Sequence, residues 1–252
     1  VWPGDMGIST PSTFVSLGDM ESVKNALQTM YDHQNPNGSF PKCGPPAPCP
    51  GSDTYHMWTM IGTYNYILYT NDTDFLDKNW AGYLKAMTYI YGKVDASGLL
   101  EVTQVGDWAR SDSHRGHNMS EAQIILYRTL ITGTHLATWA SDTTGLSTKW
   151  AAQATDLRNK ILAYCWDAAY GAFKDNATST TLYPQDANSM AIVFGVVDAN
   201  SSFAQNISAR LTENWTPIGP EPPELPHYIS PFITGFEIQA HLIARQTQRA
   251  LN

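Results

Sequence analysis

Between Glu21 and Tyr31 the apolar residues Val23, Leu27, Met30 and Tyr31 recur at i, i+4, i+7 and i+8, the spacing of one helix face. The same period recurs along the chain. Ser52 and Asp53 are capping residues that open a helix running through Tyr55, Trp58, Ile61, Tyr64 and Leu68, apolar on most faces. Trp80 to Val94 carries Trp80, Tyr83, Leu84, Met87 and Tyr91 on one stripe. Met119 to Ala140 is apolar nearly all round, whereas Ser147 to Trp166 and Ser202 to Glu213 are amphipathic. Gln185 to Val197 holds the apolar run Met190 to Val197, and Phe232 to Leu251 predicts the last helix. Pro11 to Leu17 predicts a short helix at the start, preceded by a turn at Pro3-Gly4.

Pro/Gly-rich segments separate these elements. Asn35 to Pro50 and Trp215 to Ser230 read as long loops, Leu99 to Val105 as extended chain, and Ala168 to Tyr183 as a hairpin-like stretch. Eight or nine helices result. A helix apolar all round must be surrounded, and a one-sided helix lies outside. Alternation of the two types predicts two concentric rings of helices in a single unit over residues 1–252; an irregular α bundle or solenoid is the competing arrangement. No internal repeat supports the familiar helical-repeat families.

Composition narrows the setting. Of 252 residues 42% are hydrophobic and only 15% charged, which fits a large core under a lightly charged surface. The net charge of −8, with no Lys/Arg cluster, argues against nucleic acid and anionic membranes as partners. No apolar run reaches the roughly 18–20 residues of a membrane span. No signal peptide is visible at Val1, so any leader is expected to be removed or to lie outside this numbering. Asn-x-Ser/Thr sequons at Asn37, Asn71, Asn118, Asn176, Asn200, Asn206 and Asn214 predict a eukaryotic, secreted, extracellular glycoprotein. Cys43 and Cys49 flank the stiff Gly-Pro-Pro-Ala-Pro segment and predict a disulfide, while Cys165 in an apolar run predicts a buried free thiol or a partner outside this chain.

Four places carry candidate chemistry: Trp2/Asp5, Asp53/His56/Trp58, Asp107/Trp108 and Glu237/His241. Carboxylates accept hydroxyl hydrogen bonds and indole faces stack on sugar C–H surfaces, so an acidic, indole-lined cleft suits a neutral carbohydrate. The spacings Asp53/His56 and Glu237/His241 put each pair on one helix face. Each has a bland alternative: Asp53 as a helix cap, the histidines as satisfied structural groups, Trp58 as core, Asp107 as a turn residue. Glu237 lies in the apolar run Phe232 to Ile238, where a carboxylate is not buried without a partner. There is no nucleophile elbow, phosphate loop, dinucleotide fingerprint or His-Glu-x-x-His. His114 and His117, three apart in a polar loop, lack the further ligands a metal needs. No metal or cofactor is expected.

Val1-Trp-Pro-Gly-Asp-Met-Gly7, Ser52-Asp-Thr-Tyr-His-Met-Trp58, Gly106-Asp-Trp108, Gln185-Asp-Ala-Asn188 and Ser230-Pro-Phe-Ile-Thr-Gly-Phe-Glu237 occur in that order. Together they resemble the catalytic domain of fungal six-hairpin glycosidases related to α-L-rhamnosidases, glycoside hydrolase family 78, over essentially the whole chain. The resemblance implies an all-α (α/α)6 toroid and an inverting mechanism with an acid and a base carboxyl about 6.5–9.5 Å apart. It implies that Asp5 belongs to the sugar-binding cluster, nearest the scissile bond, with Asp53 and Asp107/Trp108 lining the same pocket. In the family the general acid precedes the Trp-x-Gly-Asp segment, and the general base follows the helix matching Phe232 to Leu251. Both are therefore expected outside residues 1–252, with the chain as the central part of a toroid completed by further segments of a parent protein.

The expected function is that of a secreted glycoside hydrolase of α-L-rhamnosidase type, releasing a terminal sugar from a glycoside or plant polysaccharide. Asp5 is its catalytic-site carboxylate, and Trp2, Asp53, His56, Trp58, Asp107, Trp108, Glu237 and His241 are its substrate-binding residues. Two alternatives stay open. One is a non-catalytic carbohydrate-binding glycoprotein on a degenerate toroid. The other is a polysaccharide lyase or unsaturated-uronide hydrolase, which would need a basic cluster that the 15 Lys and Arg do not form near the motifs.

Overall fold

The structure is a computed structural model that describes residues 1–252 except 48, 50, 105, 109, 111–115, 118 and 179. Its helices are α1 (Pro3–Leu17), α2 (Glu21–Asp32), α3 (Asp53–Thr70), α4 (Thr73–Tyr91), α5 (Ser120–Trp139), α6 (Leu146–Tyr164), α7 (Gln185–Val193), α8 (Ser202–Leu211), α9 (Pro231–Ile243) and α10 (Thr247–Leu251). Three two-residue antiparallel ribbons join them: β1 (Glu101–Val102) with β2 (Gly116–His117), β3 (Trp166–Asp167) with β4 (Ala172–Phe173), and β5 (Trp215–Thr216) with β6 (Gly219–Pro220). No described helix is long and apolar enough to cross a membrane.

The two types of helix sort as their polarity requires. α1, α3, α5, α7 and α9 pack one on the next, and α9 returns to α1 with Ile8 against Gly235. Around this inner wall lie α2 and α4 on α3, α6 on α5, and α8 on α7 and α9. α3 and α5 are the least one-sided of the long helices and are buried along most of their length. α1 approaches α3 through two glycines three residues apart, facing two aromatics three residues apart. A Cβ on Gly4 would sit 2.7 Å from Tyr55 Cζ, and one on Gly7 2.4 Å from Trp58 Cε3. These contacts draw the first turns of the inner helices together.

The chain departs from the sequence reading at both ends. The expected turn at Pro3-Gly4 is helix, and α1 starts at Pro3 rather than Pro11. Proline at the first helical position lacks only an N–H that has no intrahelical partner, and its fixed φ is already helical. The expected single helix from Phe232 to Leu251 is two, broken where Arg245 takes a left-handed φ of 59°. That split brings the total to ten α-helices among the described residues, against eight or nine expected. α4 also starts earlier, at Thr73, where the Asp72 side chain accepts from the Phe75 N–H and caps it.

Candidate active site

The first turns of α1, α3, α5 and α7 each carry one acidic residue: Asp5, Asp53, Glu121 and Asp186. A carboxylate at a helix N-terminus meets unpaired N–H groups and the positive end of the helix dipole, which explains why all four tolerate that place. What surrounds each decides what it can do.

Asp5 is exposed, and Trp2, which precedes α1, is 48% exposed. Between them in the chain, Gly4 lies against the Tyr55 ring. Burial, with the charges of Asp107, Asp5 and Glu121, pushes the Tyr55 phenol well above its ordinary range, so it stays a neutral hydroxyl. Asp107 accepts hydrogen bonds at Oδ1 from Thr54 Oγ1 at 2.8 Å and from the Trp108 N–H at 2.8 Å. Trp108 is buried, stacked on Phe232. Asp5 and Asp107 thus both act on the Tyr55 ring where α1 and α3 begin, with Trp2 exposed just ahead of α1 and Trp108 following Asp107 in the chain.

The other members of the second motif are turned into the protein. Asp53 is fully buried. It pairs with Lys93 Nζ at 2.5 Å and accepts the N–H groups of Thr103 and Gln104 at 2.9 and 3.1 Å. The helix cap is Ser52, whose hydroxyl accepts from the Tyr55 N–H. Asp53 therefore ties α3 to the segment leading to Gly106. His56 accepts the Phe40 N–H at Nδ1 and donates from Nε2 to the Ala86 carbonyl. Burial lowers its pKa to about 4, so it is neutral at physiological pH. Trp58 is buried among Phe194, Phe232 and Phe236.

A further buried cluster forms around Arg110, of which the motifs supplied only Asp186. The Arg110 guanidinium is almost wholly buried and reaches carboxylates from three segments: Asp175, Asp186 at 2.8 Å and Glu121 at 3.6 Å. Burial opposes its charge, but Asp186, Glu121, Asp175 and Glu224 outweigh burial and hold it firmly cationic. Glu224, from the Pro-rich loop, accepts the N–H groups of Gln185 and Asp186 at 2.9 Å each. It caps α7, a role that the preceding Pro184 side chain cannot fill. Burial and the Asp186 charge push its pKa up to about 8. Arg110 sits two residues beyond Gly-Asp-Trp without a motif of its own, and nothing in the sequence sets it apart from Arg115, Arg128 and Arg158, which also lie between Asp107 and Asp186.

Glu237 and His241 form a further network. Glu237 accepts from Gln185 Nε2 at 2.5 Å and from the Trp215 indole at 2.6 Å, and His241 Nε2 lies 3.3 Å from it. The other His241 nitrogen meets Ser208 Oγ at 2.8 Å, to which Arg249 also donates. This network borders a cavity of about 340 Å³ lined also by Thr234 and Ile238. Gln185, whose neighbour Asp186 accepts from the Trp108 indole, links it towards Gly106-Asp107-Trp108, as does Phe232 of α9, which stacks on Trp108. The predicted residues thus divide into an exposed rim, a buried anchor set and this second network.

The Cys43–Cys49 disulfide is present and Cys165 is a buried free thiol. Asn37, Asn71, Asn200 and Asn206 are exposed and Asn176 and Asn214 half-buried, while Asn118 lies outside the described residues. His114 and the His117 side chain lie outside them too. Among the described residues no group of His, Cys, Asp and Glu could hold a metal ion.

Residues 1–216 match the family profile of the bacterial alpha-L-rhamnosidase 6 hairpin glycosidase domain. Among solved structures, the GH78 family rhamnosidase of Bacillus sp. GL1 superposes with a TM-score of 0.82 at 21% identity over 99% of this chain and 26% of that one. A rhamnosidase from Klebsiella oxytoca with rhamnose bound gives 0.79 at 16% identity, covering 100% of this chain and 47% of that one. The alpha-L-rhamnosidase from Dictyoglumus thermophilum gives 0.66 at 18% identity over 84% of this chain and 24% of that one. This chain therefore spans between about a quarter and a half of the structures that it resembles. No functionally curated sequence matches.

Proposed function

The chain belongs to the bacterial alpha-L-rhamnosidase six-hairpin glycosidase family, and from this we propose that it forms part of a glycoside hydrolase that releases a terminal α-L-rhamnosyl or closely related sugar with inversion. The observation that carries the reading is the rim. Trp2 and Asp5 stand exposed at the start of α1, and Asp5 and Asp107 both act on the Tyr55 ring at the start of α3. An indole face, ionisable carboxylates and a neutral phenol are the groups that bind a polyhydroxylated ring. Asp5 accepts a substrate hydroxyl. The proton-donating acid and the water-activating base belong to further segments of the same polypeptide. The sequons and the disulfide support a secreted eukaryotic glycoprotein, and the resemblance noted in its motifs supports a fungal one.

A second reading, carbohydrate binding without turnover, is favoured by one feature. Of the four first-turn acids only Asp5 is exposed; Asp53 is held by Lys93, and Glu121 and Asp186 face Arg110. Inverting hydrolysis needs two working carboxyls. Hydrolysis of an aryl α-L-rhamnoside by the full-length protein, with the anomer of the released sugar followed by NMR, separates the readings. Turnover with inversion supports the first; sugar binding without turnover supports the second. Intact mass before and after enzymatic deglycosylation, with the native N-terminal sequence, tests secretion and processing.

A further inference from the structure

The cations near the rim are not alike. Lys93 is consumed by Asp53, and Arg110 is buried among three carboxylates. Lys42 is partly exposed and has no described carboxylate within 4 Å. Its ammonium lies 5.6 Å from the centre of the Tyr55 ring, the same ring that Gly4 covers and that Asp5 and Asp107 influence. Its stem runs against Gly106: a Cβ there would sit 2.8 Å from Lys42 Cδ and 2.9 Å from Nζ. A side chain at 106 would displace the lysine from that path.

The segment carrying Lys42 is built in rather than draped. The Cys43–Cys49 disulfide closes it, the Gly44 N–H donates to the Val1 carbonyl at 2.8 Å, and the Gly106 N–H donates to the Gly51 carbonyl at 3.3 Å. These bonds stitch it to the strand of chain that presents Trp2 and Asp5, and to Gly106-Asp107-Trp108. A solvated lysine on a surface needs no partner. This one is held against an aromatic ring at a sugar-binding rim whose other exposed charge is acidic.

We propose that Lys42 is a specificity-determining residue that recognises a carboxylate on the sugar next to the one removed, so that the preferred substrate is a rhamnosyl unit attached to a uronic acid. The proposal rests on the rhamnosidase reading of the rim. The terminal neutral sugar meets Trp2, Asp5 and Asp107, and the uronate carboxylate pairs with the Lys42 ammonium. A neutral aglycone leaves that cation unused. Partly exposed pairs of this kind contribute modestly, so selectivity of about two- to fivefold is expected.

The test compares kcat/KM of the full-length protein on a neutral aryl α-L-rhamnoside and on an α-L-rhamnosyl-uronic acid disaccharide. Lys42→Gln should lower the acidic-to-neutral ratio about two- to fivefold, chiefly through KM, with Lys42→Glu lowering it further and Lys42→Arg restoring it. Added salt should depress the wild-type ratio and leave that of Lys42→Gln flat. An identical ratio in wild type and Lys42→Gln overturns the proposal while leaving the rhamnosidase reading standing. Failure of the wild type to cleave either substrate overturns that reading instead. Calorimetric binding of the acidic disaccharide against its neutral counterpart then reads the same ratio, and equal affinities in wild type and Lys42→Gln sink the proposal.

Discussion

Arg110 and Trp108, two residues apart, donate to the same oxygen of Asp186, the guanidinium at 2.8 Å and the indole at 3.2 Å. One buried carboxylate oxygen at the start of α7 thus holds both the Arg110 guanidinium and the Trp108 indole. Arg110→Met removes the cation and leaves the buried charges of Asp186 and Glu121 facing each other. A loss of about 3–5 kcal/mol is expected, measured as a fall in the urea midpoint with unchanged slope. Arg110→Lys keeps the charge without the fork and should fall between. A Met variant as stable as wild type would mean that the network carries none of the fold.

His56 makes the protein acid-sensitive. Its pKa is about 4 in the fold against about 6.5 in the unfolded chain, because burial disfavours the imidazolium. Below pH 6.5 the unfolded state binds the proton more readily, so this stability is complete above 6.5 and lost as pH falls towards 4. The separation corresponds to about 3 kcal/mol. Urea midpoints between pH 7 and 4 should show the decline, and His56→Gln should flatten it. An equal slope in both proteins would assign the acid lability elsewhere.

Glu224 works in the opposite sense. Its pKa is pushed up to about 8, first by burial and then by Asp186, from an ordinary 4.5. The folded state therefore holds a proton that the unfolded state releases. That contribution is complete below pH 4.5 and lost as pH rises towards 8. Above about pH 7.5, one unit past the ordinary imidazole value, His56 is neutral in both states, so the range from there to about pH 9 isolates Glu224. Stability should fall across it in the wild type and hold level in Glu224→Gln, which keeps an acceptor for the α7 N–H groups without the titration.

The periodicity of Val23, Leu27 and Met30, and the all-round apolarity of α3 and α5, were enough to read rings of helices, because burial of a helix face is written in residue spacing. The position of α1 was not readable in the same way. Pro3-Gly4 satisfies both a turn and a helix start, and the contact of Gly4 and Gly7 with Tyr55 and Trp58 decides between them. At the site, motif residues could be named, but which way each carboxylate faces depends on partners distant in sequence. Asp53 finds Lys93, 40 residues away. Asp186 finds Arg110, 76 away, and Glu237 finds Gln185, 52 away. Arg110 and Glu224 had no local pattern, since their meaning comes wholly from those long-range pairs.

Asp5 and Asp53 open neighbouring inner helices, and the structure gives them opposite duties. Asp5 is exposed, so Asp5→Asn should change stability by no more than about 0.5 kcal/mol. If it binds a substrate hydroxyl, the loss of a charged acceptor should lower kcat/KM about 10- to 100-fold. Asp53→Asn should do the reverse. It deprives Lys93 of its counter-charge and weakens acceptance from Thr103 and Gln104, for a stability loss of about 3 kcal/mol. Its effect on kcat/KM, measured at a temperature where both variants are fully folded, should stay several-fold smaller than that of Asp5→Asn. Thermal unfolding and initial rates on one aryl rhamnoside measure both quantities in the same preparations. An Asp53→Asn protein that is fully stable yet inactive would return Asp53 to the sugar and remove it from the scaffold; a stable, fully active Asp5→Asn protein would move the binding carboxylate away from the exposed rim.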